Sequence, residues 1–290
     1  MSKRILILGV GGMLGNACFN YFNSFSEFET FGTWRKEDQE KIKFFDATND
    51  SVKELISELN PDWIINCIGV IKQKIDENDQ RSVENTIRIN QEFPHEIARV
   101  VAQTKTKVIQ IATDCVFNGE AGGYSEESYH DALDLYGKSK SSGEIDSKEF
   151  VNLRVSIIGR EIETKFSIAD WFLAHDHEAR VYGFENHLWN GITTLAFARI
   201  AAGIIRSNHQ VSGTIHIVPS GQVSKFELLN LLSKYFNRGD IKIKPIDTPS
   251  LVDRTLCTLY PDLNVSIWKN AGYEAIPSIE DLIVELAENS

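Results

Sequence analysis

The chain opens on Ile5-Leu6-Ile7-Leu8, an unbroken apolar run that passes at once into Gly9-Val10-Gly11-Gly12-Met13-Leu14-Gly15. A half-exposed strand alternates apolar and polar residues. A continuous run of this length therefore reads as a central parallel strand, buried on both faces. A helix is expected from about Leu14 to Phe22, so the order is strand, glycine loop, helix. In an open α/β sheet that unit receives a dinucleotide: its pyrophosphate rests on the loop and the helix N-terminus. Gly9 permits the tight turn, Gly12 lets the backbone approach a pyrophosphate, and Gly15 allows close helix packing. Met13 and Leu14, at the helix start, complete the expected contacts. Glycines at 9, 12 and 15 are weak evidence alone and gain force from following the first strand.

The rest of the first half repeats strand and helix. A second strand is expected over Glu29–Thr33, a third over Lys43–Thr48, and a fourth over Trp63–Gly69. Helical apolar spacing fills Ser82–Gln103, and a fifth strand is expected over Val108–Ala112. Such alternation predicts a doubly wound parallel sheet. The residue about 20 positions past the glycines reads the adenosine ribose in this fold. That residue is Arg35, beside Lys36, and a cation there favours a 2′-phosphate, hence NADP(H), with NAD(H) as the alternative. A solvated turn would have the same residues. Asp46, followed by Ala47, can accept from an adenine amino group or cap the helix expected near Asn49 or Asp50. The small residues ending the fourth strand, Cys67-Ile68-Gly69, let backbone lie against a nicotinamide ribose. Asn90 is expected either in the core or facing the site.

Chemistry is expected at Thr113, Tyr136 and Lys140. Thr113 falls at the end of the fifth strand, and Tyr136 and Lys140, four apart, share one face of a helix. A phenol with an ordinary pKa of about 10 delivers a proton near neutrality when a cation lowers that value. Lys140 supplies such a charge, and the Thr113 hydroxyl can hold a substrate oxygen beside the phenol. Taken alone, the Tyr–Lys spacing reads first as an exposed helix face.

The formal net charge of -11 argues against a nucleic-acid footprint, so an anionic substrate would need a local pocket of Arg and Lys. Cys18, Cys67, Cys115 and Cys257 show no metal-ligand or disulfide spacing, which fits a reducing compartment and a cytoplasmic protein. No stretch approaches the roughly 18 apolar residues of a membrane span. After an apolar run at Phe150–Ile158 the pattern loosens. It later offers a helix at Thr194–Ile205, a strand at Thr214–Val218, and a capping box, Ser224-Lys225-Phe226-Glu227, ahead of another helix. The expected division is a dinucleotide-binding Rossmann domain over 1–160 and a smaller, mainly substrate-binding lobe over 161–290, some of whose segments return to the sheet. Trp171 and the Asn186–Trp189 stretch offer ring and amide groups to a substrate, or belong to the core. His187 and His216 are expected to be structural.

The chain resembles the extended short-chain dehydrogenase/reductase superfamily, and within it the dTDP-4-dehydrorhamnose reductases and related sugar-nucleotide reductases. The resemblance rests on the glycine loop, Asp46-Ala47-Thr48-Asn49-Asp50, Pro61-Asp62, Thr113-Asp114-Cys115-Val116-Phe117, Tyr136-Gly137-Lys138-Ser139-Lys140 and Gly191-Ile192-Thr193-Thr194. It implies that Thr113, Tyr136 and Lys140 take the catalytic positions and that an NADPH-dependent reductase acts on a 4-keto-6-deoxy sugar nucleotide. It also implies a sugar-nucleotide partner, no nucleic acid or membrane, and a homodimer as one assembly. Two segments depart from the family. Arg154-Val155-Ser156-Ile157 replaces an Arg-Thr-Ser-Trp-like sequence whose Trp meets the sugar, and Gly191-Ile192-Thr193-Thr194 lacks the usual proline. The alternatives are a sugar-nucleotide epimerase with tightly held NAD, which Arg35 opposes, and a non-catalytic protein of the same fold, such as the regulatory beta subunit of methionine adenosyltransferase.

Overall fold

The structure, a computed structural model, describes residues 2–36, 40–207 and 211–290. Its centre is a parallel sheet of seven strands: β1 (Lys3–Leu8), β2 (Phe28–Trp34), β3 (Ile42–Phe44), β4 (Trp63–Asn66), β5 (Lys107–Thr113), β6 (Phe150–Val155) and a last strand, Gly213–His216. Read across the sheet, the order is Gly213–His216, β6, β5, β4, β1, β2, β3. Ile5 to Leu8 are fully buried, and alternation splits them between two cores. Ile5 and Ile7 pack with Leu14, Cys18 and Phe22 of helix α1 (Met13–Asn23) and with the helix Thr194–Ser207. Leu6 and Leu8 face Leu55 and Ile56 of α2 (Val52–Leu59) on the other side. An unbroken apolar run is thus what a strand covered on both faces requires. The order reverses between β1 and β4, which opens a crevice at the carboxyl ends of these strands.

Four local readings need correction. The third strand stops at Phe44, because Asp46 folds back: its carboxylate accepts from the Thr48 N–H and hydroxyl at 3.0 and 2.7 Å. The helix that follows starts at Val52 and is capped by Ser51, not by Asp46. The expected long helix at 82–103 is α3 (Gln80–Ile87), a π-helical turn (Arg88–Glu92) and α4 (Phe93–Val101). Pro94 has no N–H to give the carbonyl of Asn90, and the widened turn passes that gap. Finally, the run at 150–158 breaks at Ser156. Phe150–Val155 stays in the sheet, while Ile157–Ile158 pairs with Ile192–Thr193 and leads the chain into a second core.

That second core gathers Phe172, Val181, Trp189, Leu228, Leu232 and Ile283. The helix Lys225–Tyr235 begins with the expected capping box of Ser224 and Glu227, and Ile279–Glu288 with a similar one. Gly213–His216 and Thr194–Ser207 lie back against the main sheet, so chain from the second half closes its β6 edge and one of its faces.

Candidate active site

The crevice is a cleft of about 450 Å³. It is lined by Gly11 to Leu14, Cys67 to Lys74, Ile111 to Cys115, Tyr136 and Lys140. Val155 to Ile157 and a strap formed by Glu161–Thr164, Phe166 and Ser167 line it as well. Gly9 makes the turn after β1 at φ +86°, and a Cβ on Gly15 would stand 2.1 Å from the Gly9 carbonyl oxygen. Those two positions let α1 start directly beneath the cleft. Its N-cap is Gly12, with no side-chain cap, which leaves first-turn N–H groups for a ligand oxygen.

Thr113 ends β5, and its hydroxyl accepts from the Cys115 N–H at 3.2 Å. Tyr136 and Lys140 lie on α5 (Leu135–Ser142), whose N-cap Asp134 accepts from the Gly137 N–H at 2.8 Å and pairs with Lys72 at 2.6 Å. The Lys140 ammonium is buried and donates to the Ile111 carbonyl at 2.8 Å. Burial lowers its pKa to about 8, against the opposite pull of Glu144. Burial, with Cys115, Asp114 and Asp134 nearby, pushes the Tyr136 phenol well above its ordinary value, and a hydrogen bond with Thr113 offsets only part of that rise. Asn90, on the π turn, is core and site at once. Its amide accepts from the Val70 N–H at 2.8 Å and donates to the Val70 carbonyl and the Ser139 hydroxyl, tying the cleft wall to α5.

Of the expected cofactor contacts, Gly12, Met13, Leu14, Cys67, Ile68 and Gly69 line this cleft, together with Thr113, Tyr136 and Lys140. Gly9 and Gly15 shape the loop without lining the cleft. Arg35 is exposed beyond the end of β2, where its charge helps hold the Asp46 carboxyl below the usual range. Asp46 is engaged with Thr48 and Asn49, and Ala47 is buried in the core of the α2 face. Lys36 pairs with Glu163 of the strap.

Of the two readings open for the second half, core or ligand surface, Trp189 takes the first. Trp189 is buried and donates to the Ser156 hydroxyl at 2.8 Å, His187 and Asn186 bind Thr248, and Trp171 lies edge-on to His175. Ile157, where the resembling family carries Trp, lines the cleft. Two cations went unread in the sequence. Lys225, in the first turn behind the capping box, stands 5.1 Å from the Trp189 ring centre, and burial lowers its pKa to about 8 while Asp114 raises it. Arg254 donates to the Phe117 and Asn118 carbonyls at 2.8 and 3.1 Å, and its charge reaches Asp114 as well. Neither is held in an ion pair among the described residues. A capping motif hid the first, and no local pattern marks the second.

His216 is structural. Its Nε2 accepts from the fully buried Arg154 guanidinium at 2.7 Å, and its Nδ1 donates to the Cys257 carbonyl at 2.7 Å. Arg154 also grips Glu144 through two bonds, at 3.0 and 2.6 Å, and donates to His130 at 2.8 Å.

A doubly wound parallel sheet, a glycine loop below its switch point and a Thr–Tyr–Lys set above it together define a protein of the extended short-chain dehydrogenase/reductase class. Within that class the chain belongs to the RmlD substrate binding domain family, whose model matches residues 3–289. Methionine adenosyltransferase 2 subunit beta of Mus musculus is 25% identical over 262 residues, covering 86% of this chain and 77% of that protein. The dTDP-4-dehydrorhamnose reductase of Aggregatibacter actinomycetemcomitans is 28% identical over 143 residues, 49% of this chain and 45% of that one. Among solved structures, a Bacillus anthracis dTDP-4-dehydrorhamnose reductase in complex with NADP superposes with a TM-score of 0.80 at 20% identity, covering 100% of both chains.

Proposed function

We propose that this protein is an NADPH-dependent reductase of a 4-keto-6-deoxy sugar nucleotide. The observation that carries the reading is the convergence of Thr113, Tyr136 and Lys140 on one cleft that is also lined by the glycine loop and the uncapped start of α1. The related reductase bound to NADP supports the choice of cofactor. The loop backbone and α1 would hold the pyrophosphate, Arg35 the 2′-phosphate, and Cys67 to Gly69 the nicotinamide ribose. The nicotinamide, when bound, supplies the hydride. Thr113 orients the carbonyl, and Tyr136 gives its phenolic proton to the carbonyl oxygen. Lys140 holds the ribose and steadies the charge that develops beside it. Lys225 and Arg254, whose charges reach Asp114 at the cleft, would supply the cations that a diphosphate needs on a chain of net charge -11. Free cysteines fit a cytoplasmic setting.

Mixing the purified protein with NADPH and a panel of dTDP- and UDP-linked 4-keto sugars tests the reading. Loss of NADPH absorbance with one of them is expected, and none with any would refute it. A second reading, a non-catalytic subunit, is favoured by the breadth of the match to methionine adenosyltransferase 2 subunit beta. It requires no turnover on any keto sugar and co-elution with a methionine adenosyltransferase catalytic chain.

A further inference from the structure

At the adenosine end of the cleft, one ion pair crosses from the sheet domain to the strap. Lys36, two residues beyond β2, binds the Glu163 carboxylate, and the ammonium also lies 4.5 Å from the Trp34 ring centre. The Trp34 indole packs on Gly11, since a Cβ there would fall 1.9 Å from its Nε1. Gly11 and Glu163 both line the cleft, so the pair sits at its mouth beside the glycine loop.

The strap that carries Glu163 is internally braced. Its base is held by Arg160 on Asp170 at 2.6 Å and by the Ser167 hydroxyl on the Gly159 carbonyl at 2.8 Å. The Glu161 carboxylate accepts from the N–H groups of Phe166 and Ser167 at 2.6 and 3.0 Å. Glu161 is thereby committed to the strap's own turn, and Glu163 is left to reach across. The cationic end of β2 therefore already has an anion beside it, supplied from the other half of the chain.

We propose that Glu163 is a specificity-determining residue for the cofactor: it occupies Lys36 as an internal counter-anion and lowers the preference for a 2′-phosphate over a free 2′-hydroxyl. This deepens the NADPH reading above and rests on it. A 2′-phosphate arriving beside Arg35 and Lys36 meets a carboxylate that repels it and already holds one of its two cations. A 2′-hydroxyl meets no such repulsion and can donate to that same carboxylate. Glu163 thus weakens NADPH and leaves NADH unchanged or slightly favoured. Both partners are about half exposed, side chains at 53% and 49%, so water screens the pair and the effect is modest.

The test is direct titration of NADPH and NADH into the wild type and Glu163→Gln, followed by cofactor fluorescence. The expected result is NADPH binding roughly threefold to fivefold tighter in the variant, the range of one exposed ion pair. NADH binding should be unchanged or weaker. Raising the salt concentration should shrink the difference, because exposed charges are screened. Unaltered NADPH affinity in Glu163→Gln, or an equal gain for both nucleotides, overturns the inference while the cofactor reading stands. Failure of the wild type to bind either nucleotide overturns both.

Discussion

Acid should loosen this fold through His216, and the hydrogen bonds say why. The imidazole Nε2 accepts from a guanidinium, which a protonated ring cannot do, and its Nδ1 proton is held by the Cys257 carbonyl. Burial and then the Arg154 charge bring its pKa from 6.5 to about 4. The unfolded chain therefore binds a proton at higher pH than the folded one does. His216 contributes its stability fully above about pH 6.5 and loses it as the pH falls toward 4. Across that window the difference is worth about 3 kcal/mol, and between about pH 7.5 and about pH 5 it removes about 2 kcal/mol. With a urea slope of about 3 kcal/mol per molar for a chain of this size, the unfolding midpoint should drop by about 0.7 M.

The assay is urea unfolding at several pH values in the wild type and in His216→Gln, which keeps a donor and an acceptor but cannot gain a proton. His130, also lowered by burial and by Arg154, adds a loss of the same sign to both proteins. Asp114, raised by burial, acts oppositely in the carboxylate range and is likewise common to both. Above about pH 5, where carboxylates such as Glu126 beside it stay ionised, the difference in slope between the two proteins therefore reports His216. Equal pH slopes in wild type and variant would refute the reasoning.

Tyr136→Phe should reduce turnover at least a hundredfold in steady-state kinetics with nearly unchanged NADPH affinity, since the phenol acts mainly in the transition state. Lys140→Ala should damage both turnover and NADPH binding, because its ammonium has two roles; a variant with intact binding by fluorescence titration would contradict the second. Arg35→Ala should weaken NADPH roughly tenfold by titration and NADH much less, as expected for a charge-assisted contact with phosphate. With Ile157 in place of the family's Trp, dTDP-4-keto-rhamnose should be a poorer substrate than another 4-keto sugar nucleotide; a clear preference for it in kcat/KM would overturn that expectation.

The first half of the fold was legible because its strands are covered on both faces. Ile5–Leu8 had to be apolar throughout, Val108–Ala112 is apolar but for Gln110, which accepts from the Asn66 amide at 2.8 Å, and the glycines had to follow the first of them. Boundaries were less legible where a side chain redirects the backbone, as Asp46 does after Phe44, or where Pro94 forces a π turn inside a helical pattern. The substrate side was least legible. Aromatic residues in a loosely patterned stretch fitted a ligand surface and a core equally, and Trp189 fills the second core while Asn186 and His187 close on Thr248. Lys225 and Arg254 reach Asp114 from positions 111 and 140 residues further along the chain. No local periodicity records such a meeting, which depends on how the second core seats against the first.

The surroundings of Tyr136 bear on the proposed reduction. The sequence suggested a lysine that lowers the phenol's pKa, whereas the folded chain turns Lys140 to the Ile111 carbonyl and surrounds the phenol with Cys115, Asp114 and Asp134. An epimerase must first oxidise a hydroxyl, so its tyrosine begins the cycle as a phenolate base. Two carboxylates and a buried setting work against that ion. A ketone reductase starts with the phenol protonated and needs only an acid stronger than the alcohol formed when hydride reaches the carbonyl carbon. An alkoxide is a far stronger base than a phenolate, so Tyr136 remains a competent donor even with its pKa raised. Reduced nicotinamide adds no positive charge that would undo this bias. A protonated Tyr136 is thus what the proposed reduction requires at its start.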